Sequence, residues 1–242
     1  MKMNDQQRQG TTEQNSPRSH VLRDILIVGS PIVVLGAFGN SVGVNTMTGG
    51  ALINLGYVLM IVIGNILLRH QDSSWRFLGL SHHRTWLKTI LYGIGSFIAA
   101  VIVFVVTQGV IVGILTAVGL PPQELDQSRF DILRNNDSLF ILMLVLAWTT
   151  IAFGEEMFYR AFLISRMVDG THLGKWTAIV IAGLIFGIVH FSEGPVGVVS
   201  NGAFGLLFGW IYLRSNRNLW ITIVGHGLLN SLRFTLVFLG AS

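Results

Sequence analysis

The sequence predicts an all-α membrane protein, a polytopic transmembrane helical bundle of about seven spans, with six to eight as the bounds. Three observations predict it. Only 12% of the 242 residues are charged, against roughly 25% in soluble domains. Hydrophobic residues make up 51%, and the mean hydropathy is +0.62. The apolar residues gather in stretches near 24–42, 49–68, 89–118, 138–165, 176–191, 195–213 and 219–239. Most of these reach the roughly 20 residues that a spanning helix needs.

Each element follows in turn. Residues 1–20 are polar, with Lys2, Asp5, Arg8, Glu13 and Arg18, and have no apolar core. They read as a short disordered cytoplasmic tail, not as a cleavable signal peptide. Residues 21–242 read as one transmembrane domain. The first two spans are joined by an uncharged connection from Gly39 to Gly49. The third is long enough for a tilted or extended helix, or for a span plus an interfacial piece. The fifth is short. Gly and Pro inside these stretches do not exclude helices, because membrane helices tolerate both.

The loops set an expected orientation. Arg69, Arg76, Arg84 and Lys88 fill one loop, Arg166 and Lys175 another, Arg214 and Arg217 a third. The loop 119–137 is net acidic, with Glu124, Asp126, Asp131 and Asp137 against Arg129 and Arg134. Basic loops face the cytoplasm, which puts the N-terminus inside and, with seven spans, the C-terminus outside. The same loops account for a pI near 9.9 without a nucleic-acid partner; the lipid bilayer is the expected surrounding. The absence of cysteine excludes disulfides, thiolate metal sites and cysteine nucleophiles.

Ionisable groups inside the spans concentrate after residue 150, while the first three spans show none in their apolar cores. Glu155 and Glu156 stand side by side in the fourth span. An ionised carboxylate at that depth costs at least about 2.5 kcal/mol, so something must pair with it or use it. At about 100° per residue, Glu156 and Arg160 form an i,i+4 pair on one face, and Glu155 projects to another. Arg160 then neutralises Glu156 and leaves Glu155 as the reactive carboxylate. A carboxylate taken out of water is a stronger base.

Two further spans supply partners. His190 lies in the fifth, with Phe186 one turn before it, and His226 and Asn230 share a face of the seventh. Counted from the basic ends of their helices, Glu155, His190, His226 and Asn230 lie roughly 16, 22, 12 and 18 Å deep. All four fall at mid-membrane and can converge. A lone intramembrane His or Asn is ordinary interhelical glue; the combination on three helices is not.

These motifs, Glu155-Glu156-x-x-x-Arg160, Phe186-x-x-x-His190 and His226-x-x-x-Asn230, resemble in order those of the CPBP family of intramembrane proteases (CAAX protease and bacteriocin-processing, also Abi or type II CAAX prenyl endopeptidase-like). Phe77-Leu78-Gly79-Leu80 is also family-like. The resemblance implies a membrane endopeptidase whose motif-bearing part covers about 138–242. It implies that Glu155 and His190 activate a water, that His226 and Asn230 stabilise the oxyanion, and that Glu156, Arg160 and Phe186 support the site. Family members are often called metalloproteases. A divalent metal, zinc on Glu155, His190 and His226, and a metal-free glutamate mechanism both stay open; no organic cofactor is implied. The substrate would be a membrane-associated protein or peptide, prenylated or not, and the location a bacterial cell membrane. Other readings are a non-proteolytic immunity or partner-binding protein on the same scaffold, and a small proton-coupled transporter using Glu155 and the histidines.

Several residues carry plainer expectations. His82 and His83 belong to a solvated basic loop. Glu193 reads as a loop charge, with a role at the cavity rim open. Arg233 reads as a snorkelling side chain, with a contact to a cavity carboxylate open. Gly93-Ile94-Gly95-Ser96 reads as small-residue helix packing. Trp75, Trp86, Trp210 and Trp220 read as an interfacial belt.

Overall fold

The computed structural model describes residues 20–43, 46–81, 85–120, 132–134 and 136–240, and among these no strand occurs. Its main helices are α1 Val21–Val42, α2 Met47–His70, α3 Trp86–Ala117, α4 Asp137–Gly170, α5 Lys175–Ile188, α6 Gly194–Arg214 and α7 Leu219–Phe238. They coincide with the seven apolar stretches. All but α5 are long and apolar enough to cross a membrane, α6 being counted with the short turn Phe191–Glu193 before it; α5 has 14 residues. The protein is an integral, multi-pass membrane protein. The tail expected over residues 1–20 lies, up to residue 19, outside the described residues. So do His82, His83 and Arg84, and Glu124, Asp126, Arg129 and Asp131 of the acidic loop.

The bundle is built around α4. Its residues 154–165 are all buried, whereas α1 and α3 expose Leu26, Val33, Phe38, Ile102, Val105 and Val110. Those faces meet lipid, which is as apolar as the side chains themselves. Helix α2 approaches α4 closely because position 154 is glycine. A Cβ there would stand 2.9 Å from the Tyr57 ring and its Cβ.

One end of the bundle is stitched by polar contacts. Asp24, in the first turn of α1, is 2% exposed. It accepts from Gln71 Nε2 at 2.8 Å and has Arg166 at 3.9 Å, so α1, α2 and α4 are tied together. The first span therefore does bury a charge, at its boundary and with partners. Arg217 makes two hydrogen bonds of 2.6 Å to Asp169, linking the α6–α7 turn to α4.

The same end explains Phe77-Leu78-Gly79-Leu80. This segment forms a single π-helical turn, Arg76–Leu80. Tyr212 donates to the Leu78 carbonyl at 2.7 Å, and Trp220 Nε1 to the Leu80 carbonyl at 3.2 Å. Gly79 has φ of +116°, where an L side chain is strained, and a Cβ would stand 2.1 Å from the Arg217 carbonyl oxygen. Ser96 donates to the Ile221 carbonyl at 3.1 Å, consistent with the packing role read for Gly93–Ser96. Trp75 departs from the interfacial belt: it is buried, with its ring 6.0 Å from Phe162. Trp86 and Trp220 meet edge to face at 5.6 Å.

Gly79→Ala is expected to destabilise the protein by more than about 1 kcal/mol, from left-handed strain alone. Gly36→Ala, with nothing within 4 Å of the added methyl, is expected to be neutral or to gain up to about 1 kcal/mol from helix propensity. Thermal unfolding of both variants in the same detergent measures the contrast.

Candidate active site

Helix α4 does not run as a uniform α-helix. It widens into π-helical turns at Ala147–Ala152 and Glu156–Ile164, with Phe153–Glu155 between them. Such widenings occur often at functional sites. More residues per turn means a smaller angle between successive side chains. Both glutamates reach the same partner on α7.

That partner is His226. Its Nδ1 lies 2.9 Å from Glu156 Oε1, and its Nε2 lies 3.7 Å from Glu155 Oε2. Glu156 also faces Arg160, with Nη1 to Oε1 at 3.0 Å, so the i,i+4 pairing read from the sequence is present. The approach is an ion contact without hydrogen-bond alignment: Arg160 Nη1 and Nη2 and Glu156 Oε2 are buried without hydrogen-bond partners among the described residues. Glu156 is 0% exposed and Arg160 1%. Aromatic faces complete the setting of the guanidinium, with Phe186 at 4.7 Å, Phe204 at 5.3 Å and Phe208 at 5.6 Å. Ring quadrupoles attract a cation, and do so more when it is desolvated.

Glu155 is held differently. Tyr57 of α2 donates its hydroxyl to Oε1 at 3.1 Å. Arg160 pairs with Glu156, so the two carboxylates differ in their partners. Phe186 sits between the groups: its ring is 4.7 Å from the His190 ring, 4.9 Å from Tyr159 and 6.4 Å from His226.

His190 lies beyond the helix that was expected to carry it. Helix α5 ends at Ile188, and His190 occupies the turn before Phe191–Glu193. Its Nδ1 is 2.7 Å from the Phe186 carbonyl. A carbonyl only accepts, so this contact puts the proton on Nδ1 and leaves Nε2 with its lone pair. Asn230, one helical turn after His226, has its Nδ2 buried with no hydrogen-bond partner among the described residues. A buried donor left unpaired costs about 1–3 kcal/mol, a cost that an incoming acceptor would remove.

Among the described residues no three or more His, Cys, Asp or Glu are grouped to hold an ion. The Nδ1 contacts of His226 with Glu156 and of His190 with a backbone carbonyl leave both Nε2 atoms available, as in histidines that ligate a metal.

Residues 137–232 match the family described as type II CAAX prenyl endopeptidase Rce1-like. This segment is similar to Rce1-like domains. The match spans all three motifs and agrees with the family that they resemble, one of CAAX-type membrane endopeptidases. Comparison with curated proteins and with solved structures gives no match. Helix α2, which brings Tyr57 to the site, lies outside the Rce1-like segment.

Sequence reading missed Tyr57 and Asn201. Asn54 and Tyr57 form an i,i+3 polar pair on a largely apolar span, and Asn54 meets Thr150 of α4 just as Tyr57 meets Glu155; that pairing was the available signal. Glu193 and Arg233 also depart from a loop charge and a snorkelling cation: they face each other at 3.3 Å.

Arg160→Met is expected to destabilise the fold by about 3–5 kcal/mol, because it leaves Glu156 buried without its cation. Arg160→Met combined with Glu156→Gln is expected to recover part of that loss. Thermal unfolding of the three proteins checks both expectations.

Proposed function

We propose that this protein is an intramembrane endopeptidase that hydrolyses a peptide bond of a membrane-associated protein or peptide. The carrying observation is the arrangement around Glu155: a buried carboxylate with one oxygen fixed by Tyr57 and the other near His226. Arg160 balances the neighbouring Glu156 and leaves this carboxylate to chemistry.

In this reading Glu155 and the lone pair of His190 Nε2 orient a water, and Glu155 takes its proton as the water oxygen attacks the scissile carbonyl. The carbonyl oxygen becomes an oxyanion, and His226 and Asn230 donate to it. Glu155 then returns the proton to the departing amine as the C–N bond breaks. For His226 to donate at Nε2 while Nδ1 donates to Glu156, its ring must carry both protons. Two carboxylates then face two cations, Arg160 and the imidazolium, and the cluster is electrically balanced. No step here requires a metal. The basic loops support a cytoplasmic N-terminus.

The test is cleavage of a labelled peptide library by the full chain in lipid nanodiscs. Glu155→Gln is expected to lower turnover by about 10²–10⁴-fold, and Asn230→Ala by about 10²–10³-fold, with both proteins folded. Tyr57→Phe is expected to keep the fold and lower turnover less than Glu155→Gln does. Retained turnover in Glu155→Gln would remove the glutamate from the mechanism. Activity lost to a chelator and restored by zinc would replace the metal-free scheme with a metalloprotease.

A further inference from the structure

The carboxylate of Glu193 joins the His190 turn to the helix that carries His226 and Asn230. Glu193 closes the three-residue turn that begins at Phe191, and its backbone N–H donates to the His190 carbonyl at 2.9 Å. The side chain of Glu193 is 9% exposed. Its Oε2 accepts from Asn201 Nδ2 of α6 at 2.9 Å, and its Oε1 from Arg233 Nη1 of α7 at 3.3 Å. Asn201 is itself buried and braced on the Gly197 carbonyl at 2.9 Å. Glu193 reaches both because position 197 has no side chain: a Cβ there would stand 2.2 Å from the Glu193 Cβ.

This geometry bears on catalysis through placement. His190 has left the regularity of α5, and its ring keeps contact with that helix through the Phe186 carbonyl and the Phe186 ring. Its own turn, through Glu193, is fastened in addition to α6 and α7. Arg233 stands three residues after Asn230, on the face that i,i+3 neighbours share. One carboxylate therefore sets the spacing between the water-binding histidine and the oxyanion donors.

We propose that Glu193 is a positioning residue, and that with Arg233 and Asn201 it forms a latch holding His190 in register with His226 and Asn230. The proposal rests on the endopeptidase reading for its kinetic consequence and on the contacts alone for its structural one. A misplacement of about 1 Å at a catalytic group costs on the order of 100-fold. In this proposal the latch acts through the placement of His190 and not through substrate binding, so its loss is expected in kcat with KM nearly unchanged.

Two readouts on the full chain in nanodiscs test it. The chain has no cysteine, so Ser192→Cys and Leu236→Cys place two spin labels cleanly, one on the turn and one on α7. Electron–electron resonance is expected to give a narrow distance distribution in the parent and a broad one with Glu193→Gln. In unlabelled protein, Glu193→Gln and Arg233→Gln are each expected to lower kcat by about 10–100-fold, and the double variant by no more than the worse single, as for residues acting as one unit. A narrow distribution in Glu193→Gln overturns the latch, even if the parent cleaves no peptide and the endopeptidase reading fails. A broad distribution with kcat intact, or additive losses in the double variant, overturns the positioning role while leaving the endopeptidase reading in place.

Discussion

The buried contact among Glu156, Arg160 and His226 is the constraint on which the rest of the structure depends. A charge at that depth is costly, and each of the three is tolerable only in the presence of the others. Arg160 needs Glu156 and the faces of Phe186, Phe204 and Phe208. His226 needs Glu156 to orient its ring. Satisfying them brings α4, α5, α6 and α7 to one point. Residues 154–165 of α4 are enclosed where it carries these groups, and α1 and α3 are left to face lipid.

Glu155 gains its distinct character from this arrangement. With Glu156 balanced, the second carboxylate has a phenol and one edge of an imidazole beside it. A base that works at membrane depth must be near enough to cations to exist and free enough of them to react. The division of partners between adjacent residues meets both requirements. Both carboxylates nonetheless contact His226.

Local periodicity was readable in the sequence wherever the deciding physics was local. The seven apolar stretches coincide with α1 to α7, and the spacing of Glu156 and Arg160 gave their pairing. What was not readable lies between elements. Tyr57 is almost a hundred residues from Glu155, and nothing in an apolar span says which neighbour its hydroxyl will face. Asp24 stands at the edge of the first apolar stretch, and its partners, Gln71 and Arg166, come from other helices. Trp75 looked interfacial because it stands at a span end, yet α4 supplies it with Phe162. His190 was placed inside a helix because residues 176–191 are apolar nearly throughout. Its position after Ile188 follows from the turn into Gly194, whose φ of +73° is open to glycine.

The unequal lengths of two helices bear on the surrounding lipid. At 1.5 Å per residue, the 32 residues of α3 reach about 48 Å and the 14 of α5 about 21 Å. The hydrocarbon core of a bilayer is about 30 Å thick. Helix α3 exceeds it and α5 falls short of it, so hydrophobic mismatch has opposite signs on the two. Lipid must thicken, or the helix tilt, along α3, and lipid must thin beside α5. The short side borders the helix that leads to His190. Mismatch of opposite sign therefore acts on two sides of one protein, and the side that draws the membrane thinner is the one next to His190.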